Sequence, residues 1–268
     1  MISNVQYAAM ARWLSAIVLV SLLTTPARAA ESAEAGGWDL SLEPYLWMPV
    51  IEIGTPAANI QIDFSDILES LNWVTMISGT AKKGKLTVFG DVINLKLTQS
   101  GSEAFSVPVD PAGPFGPFNV NVNVDGKVVI KTWIVTGGID YELVRTDKYA
   151  LGGVVGARSL WLDTVTTETA TLRKRSGSAK QGGSGWFVDG IAGMQGRYAF
   201  DDKTFLRWYG DVGTGDSNLT WAAQGEVVYQ FKRFEAFVGY RYMTWDLDDA
   251  ALTDLEVSGP RVGANFRF

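Results

Sequence analysis

Eight charged residues stand where they could act together: Arg158, Asp189, Arg197, Arg207, Asp211, Glu226, Arg241 and Arg261. Each lies in a run in which polar and apolar residues alternate. Residues two apart share one face of a β-strand, so these charges converge on whatever surface their faces enclose. Charges held in a narrow space must pair or stay hydrated. Two chemistries follow. Arginine–carboxylate ladders would brace a wall from within. Alternatively, the same residues would line a narrow pore, where five arginines against three acids favour anions. Catalysis fits less well. The chain has no His and no Cys, which removes the imidazole base, the thiolate nucleophile, disulfides and thiolate metal sites. Asp189 and Asp211 could form a carboxylate pair, but neighbouring arginines would hold both ionised. The expectation is no enzyme, no cofactor and no metal.

The elements that position these charges are strands. Helical periodicity is almost absent from the 268 residues, and no stretch after the N-terminus reaches the length of a transmembrane helix. Ten segments of 10–17 residues alternate with period two: 38–48, 73–82, 85–98, 127–143, 149–163, 185–200, 204–214, 219–231, 234–247 and 255–268. Their connections alternate too. Lys83-Gly84, 144–148, 201–203 and Lys232-Arg233 are short, whereas 49–72, 99–126 and 164–184 are long. Short turns at one end and long loops at the other suit a membrane barrel. The sequence therefore predicts an all-β fold, a transmembrane antiparallel up-and-down barrel of ten strands, with eight or twelve as alternatives.

Parity supports this strand by strand. In 219–231 one face reads Leu219, Trp221, Ala223, Gly225, Val227, Tyr229 and Phe231; the other reads Thr220, Ala222, Gln224, Glu226, Val228 and Gln230. Segment 85–98 breaks the rule, because Asp91 shares a face with Phe89 and Ile93. An apolar face turns inward in a soluble barrel and outward in a membrane barrel. The aromatics favour the membrane. Trp47, Trp73, Trp161, Trp186, Trp221 and Trp245 collect at the long-loop end. Trp38, Tyr141, Tyr149, Tyr198, Phe200, Tyr229, Phe231, Phe234 and Phe266 collect at the short-turn end. Two such belts around a Gly/Ala/Val-rich band are what interfacial anchoring requires. A ten-stranded lumen is narrow, and Leu160, Leu162, Phe187, Ile191 and Tyr209 on the polar parity narrow it further.

The ends and loops carry further expectations. Residues 1–29, with the apolar run 13–23 and Ala27-Arg28-Ala29, read as a cleaved secretory signal. Residues 30–268 would then be the barrel, with a net charge of −8. That acidity argues against nucleic acid as a partner. Asp66-x-x-Glu69 predicts a capped helical turn in loop 49–72, with Ile67, Leu68 and Leu71 packing over the mouth or dipping into the interface. Arg173, Lys174, Arg175 and Lys180 in loop 164–184 are candidates for lipopolysaccharide phosphates, or a solvated Gly/Ser-rich loop. Loop 246–256 carries five acids in a spacing that matches no EF-hand.

Several short signatures carry a resemblance: Glu43-Pro44-Tyr45-Leu46-Trp47, Asp63-Phe64-Ser65-Asp66-Ile67-Leu68-Glu69, Phe89-Gly90-Asp91-Val92, Gly210-Asp211-Val212-Gly213, Thr220-Trp221, Gly239-Tyr240-Arg241-Tyr242 and the terminal Phe268. Together the set resembles a family of bacterial outer-membrane β-barrel proteins of unassigned activity. The resemblance implies location and fold, and it brings no catalytic residues. Phe266 and Phe268 resemble the C-terminal strand signal read by barrel-insertion machinery. The expectation is a monomeric envelope component of the outer membrane with a narrow or sealed polar lumen. A small-solute, anion-leaning channel and a soluble periplasmic ligand-binding barrel are the alternatives.

Overall fold

Period-two alternation with turns every dozen or so residues leaves strands one way to satisfy every backbone group: pairing in a ring. A computed structural model describes residues 37–54, 59–109, 118–172, 175–247 and 253–268. The expected signal peptide lies outside them. Residues Trp38–Arg267 form one compact unit.

The strands are β1 (Asp39–Trp47), β2 (Val50–Gly54), β3 (Asn59–Ile62), β4 (Leu71–Lys83), β5 (Leu86–Val109), β6 (Phe118–Arg145), β7 (Tyr149–Leu172), β8 (Arg175–Ala199), β9 (Thr204–Gly215), β10 (Leu219–Gln230), β11 (Phe234–Asp246) and β12 (Asp254–Arg267). A short helix, α1 (Phe64–Ser70), precedes β4. Strands β1 and β4 to β12 pair antiparallel in order, and β1 closes the ring on β12 from Ser41↔Arg267 to Trp47↔Arg261. The result is a closed ten-stranded barrel. Strand β2 continues along the outer half of β12, with β3 at its side. Gly84 in the β4–β5 turn has φ +61°, the left-handed region that favours glycine.

Two expectations are corrected. Residues 99–126 and 164–184 are not simply loops: apart from 110–117 and 173–174, which lie outside the described residues, they continue β5–β6 and β7–β8 as long hairpins. Strand β6 has 28 residues, roughly 90 Å of chain. Arg175 and Lys180 therefore stand on β8, whereas Arg173 and Lys174 lie outside the described residues, as do Asp248 and Asp249 of the acidic loop. The helical turn forms as α1, although its N-cap Asp63 makes no side-chain cap bond. Ile67 packs on the inward Leu95 and Leu97, while Leu68 stays exposed.

The apolar faces look outward. Leu40, Leu42, Val88, Ile139, Val155, Val188, Met194, Val212, Val227, Val238 and Val262 are all exposed large hydrophobics on the barrel wall. No outward position between the belts, among the described residues, carries Asp, Glu, Lys or Arg. Trp73, Trp133, Trp186 and Trp221 ring the long-loop end. Trp38, Tyr141, Tyr149, Tyr198, Phe200, Tyr229, Phe231 and Phe266 ring the other. Trp47 and Trp245 do not belong to the belt: at 1% and 0% exposure they point into the barrel. Residue 245 is odd-numbered on β11, and the odd face there is the inner one.

One short turn is pinned electrostatically. The Asp201 carboxylate accepts from the backbone N–H of Lys203 at 2.8 Å and of Thr204 at 2.7 Å. These donors hold its carboxyl below the usual carboxylate range. A depressed folded value means the contribution is present at neutral pH and lost as pH falls through that value. Hydrogen exchange at the Thr204 amide should therefore speed up in acid beyond its intrinsic pH dependence. Asp201→Asn should remove that extra pH response.

Candidate functional site

The inward parity of ten short-spaced strands delivers charge to a confined interior, and the structure shows how that charge is neutralised. Arg207 bonds Glu43 at 2.7 Å and Glu226 at 2.6 Å. Arg261 bonds Glu43 at 3.0 Å, and its Nε lies 3.1 Å from Glu226 without hydrogen-bond alignment. Gln224 accepts from Arg261 at 2.5 Å and donates to Glu226 at 2.9 Å. A Cβ at Gly239 would stand 2.2 Å from the Gly225 carbonyl oxygen and 2.6 Å from Glu226 Cγ, so glycine there lets the neighbouring strand and its glutamate approach.

Tyr45 ties this group to a second one. Its hydroxyl donates to Asp91 at 2.9 Å and accepts from Arg241 at 3.0 Å. Arg241 reaches Asp91 at 3.3 Å, and the Arg261 guanidinium lies 4.1 Å from the Tyr45 ring centroid. A third group joins Arg158 to Asp211 at 2.5 Å and to Thr220 at 3.1 Å. Four arginines thus meet four carboxylates. Arg158, Arg261, Glu226 and Asp211 are all buried.

Six of the eight residues singled out in the sequence come together in this way. Asp189 and Arg197 do not. Asp189 accepts from the Ser217 backbone N–H at 2.9 Å, and Arg197 lies over Phe205 at 3.7 Å. Sequence reasoning missed Glu43 and Asp91. Both carried a signal: Glu43 shares its parity with Tyr45 and Trp47, and Asp91 is the residue that spoiled the alternation of 85–98. Their presence removes the excess of arginine on which the anion preference rested.

Beyond the charges, toward the long loops, the interior becomes apolar. Trp47, Met76, Ile93, Ile134, Leu160, Met243, Trp245, Leu255 and Val257 form one buried cluster, with Phe187 packed against it. The Trp47 indole donates to the Gly259 carbonyl at 3.1 Å. At the short-turn end a cavity of about 170 Å³ remains, lined by Lys82, Asp140, Glu142, Arg145, Arg197 and Arg207 among others. Lys82 and Arg145 both pair with Glu142 there.

A closed strand ring with a charge-free exterior between aromatic belts is the form in which strands cross a bilayer. The soluble-barrel alternative would turn that face inward. The chain is an outer-membrane β-barrel.

Comparison with protein-family models and with curated proteins gives no match. Solved structures that overlap it are outer-membrane barrels at low similarity. The translocator domain of the autotransporter NalP from Neisseria meningitidis is 12% identical, with 98% of this chain and 96% of that chain covered and a TM-score of 0.40. Ail, the attachment invasion locus protein of Yersinia pestis, is 13% identical over 87% of this chain and 99% of that chain, at 0.33. A Pseudomonas aeruginosa FadL homologue is 10% identical over 86% and 90%, at 0.30. Overlap at this level does not bear on what the chain does.

The paired charges generate a prediction. Removing one partner strands a buried charge, at a cost of about 3–5 kcal/mol. Glu226→Ala leaves Arg207 and Arg261 to share Glu43 and should lower unfolding stability in detergent by that amount. Arg145→Ala, whose side chain is 54% exposed and whose partner Glu142 keeps Lys82, should cost under ~1 kcal/mol. Equal losses in denaturant titrations would contradict the balanced interior.

Proposed function

We propose that this chain is a sealed outer-membrane barrel, an envelope component whose lumen serves as internal bracing and whose working surface is the sheet it projects beyond the membrane. The observation that carries the reading is the double closure of the lumen. Arg158, Arg207, Arg241 and Arg261 are matched by Glu43, Asp91, Asp211 and Glu226, and the span above them is filled by Trp47, Met243, Trp245 and Leu160. A conducting anion path needs open volume and net positive charge, and neither accompanies this packing.

The same packing argues against an enzyme. Asp211 is engaged by Arg158 and Asp189 by a backbone amide, so neither is poised as a base. The lipid-facing wall implies membrane lipid as the standing partner. The outward Phe266 near the end of β12 suits delivery by barrel-insertion machinery, and the single closed unit suits a monomer.

Strands β5 to β8 run about a dozen residues past the rest of the rim, roughly 40 Å of chain. No sealed lumen needs that extension, which is why the projecting sheet is assigned the contact role.

Conductance in a planar bilayer tests this directly. Refolded 30–268 should give no discrete steps. Arg241→Ala should stay silent too, because the apolar plug remains. Combining it with Trp47→Ala and Trp245→Ala should admit ions if that plug is the seal. Reproducible steps from the unaltered chain would overturn the proposal.

A further inference from the structure

The outward face is free of charge through the membrane band, and where charge returns at the long-loop end three lysines gather on one side, with Asp163 and Asp125 beside them. Lys96 of β5 stands directly opposite Lys131 of β6. Both follow the outward parity of Asn94 and Trp133. Directly opposed residues hold their Cβ atoms about 4.5–5.5 Å apart, where like charges destabilise a sheet. Lys127, exposed on the same face of β6, adds a third cation four residues further out. The relief from protein is partial: Lys131 reaches Asp163 at 3.3 Å, with 43% of the lysine side chain still exposed. Lys96 has no ion-pair partner among the described residues.

Position supplies the second observation. Lys96 also pairs in register with Trp73, which is 61% exposed. Trp133, Trp161 and Trp186 occupy one row on β6, β7 and β8, a single outward step below Lys131 and Asp163. Outward tryptophans mark the headgroup level of a bilayer, so the lysine pair lies where lipid phosphates lie. The far side of the rim is acidic instead, with exposed Glu52, Asp246 and Asp254. The cationic quadrant is therefore local rather than a uniform belt.

We propose that Lys96 and Lys131, supported by Lys127, dock the phosphate of an anionic outer-leaflet lipid whose chains lie along the β4–β6 wall below Trp73 and Trp133. An anion between the two ammonium groups removes the repulsion that the bare ladder carries. The site differs from the basic run of residues 173–180. Lys180 stands six residues beyond Trp186, about 20 Å further along its strand, which is past the phosphate level. The inference rests on the outer-membrane reading above.

The test uses the full mature chain inserted in vesicles of phosphatidylcholine with or without phosphatidic acid, followed by native mass spectrometry of retained lipid. Wild type should retain phosphatidic acid preferentially. Lys96→Gln with Lys131→Gln should lower that retention by about 25-fold, roughly fivefold per lysine near a charged surface. Lys203→Gln, at the opposite end, should change nothing. Stability gives an independent sign. In phosphatidylcholine alone Lys96→Gln should raise the unfolding midpoint, and with phosphatidic acid present it should lower it. Equal retention by the double variant, or an unchanged sign, overturns the site. Displacement by free inorganic phosphate at matched concentration would also overturn it, by making it a small-anion site. A chain that fails to insert, judged by the absence of heat-dependent gel mobility, would instead sink the outer-membrane reading.

Discussion

Burying Arg158 at 1% and Arg261 at 2% exposure is the demand that organises this barrel. An uncompensated guanidinium in that interior costs several kcal/mol, more than most single contacts return. Each arginine must therefore meet a carboxylate from a distant part of the chain. Arg261 meets Glu43 across the whole sequence, from the last strand to the first. Arg207 reaches the same Glu43. The pairs that neutralise charge are thus also the cross-links that tie β1 to β9 and β12. Closure of the ring and neutrality of the interior are one requirement.

That requirement explains why the apolar residues lie on both sides of the wall. In a soluble barrel the apolar face is spent on the core. Here the exterior must be apolar for lipid, so the interior has to pack with what remains. Arginine stems and aromatic rings fill the middle together: Arg261 over Tyr45 and Phe237, Arg207 near Phe237, Arg241 near Trp47. A guanidinium lying on a ring keeps part of its attraction without water. Above this level the interior abandons charge for Trp47, Trp245 and their neighbours. The long-loop end therefore closes by ordinary packing.

The alternation made most of this legible. Each of the ten barrel strands overlaps one of the segments that period two marks out, because one face must be free of charge and the other is not; β5 to β8 run well beyond theirs. The misses have local causes. Trp47 and Trp245 lie near strand ends, where aromatic content suggests a belt but parity decides direction, and parity puts both inside. Residues 164–172 and 175–184 are rich in Thr, Gly and Ser, without the apolar face that betrays a membrane strand, because they rise above the membrane and need none. Glu43 escaped notice because no basic residue stands near it in its strand. A lone carboxylate there has meaning only once Arg207 and Arg261, more than 160 residues away, are brought beside it.

Unequal strand length carries the architecture from anchor to surface. Strands β9 and β10 stop after 12 residues each, whereas β8 has 25 and β5 has 24. Ladder pairing on β8 reaches β9 only from Asp189 onward, and pairing of β5 with β4 ends at Leu97. Among the described residues, the outer parts of β5 and β8 are thus the two edges of a four-stranded sheet. Open edges invite pairing with other chains, and proteins guard against it with charge and poor strand formers. The β8 edge carries Lys180 with Gly177, Gly182, Gly183 and Gly185, and the β5 edge carries Pro108. A protected edge means that the extension is built to stand free in water. About 40 Å of sheet thus stands past a barrel that is complete without it, with both of its open edges guarded by residues that resist further strand pairing.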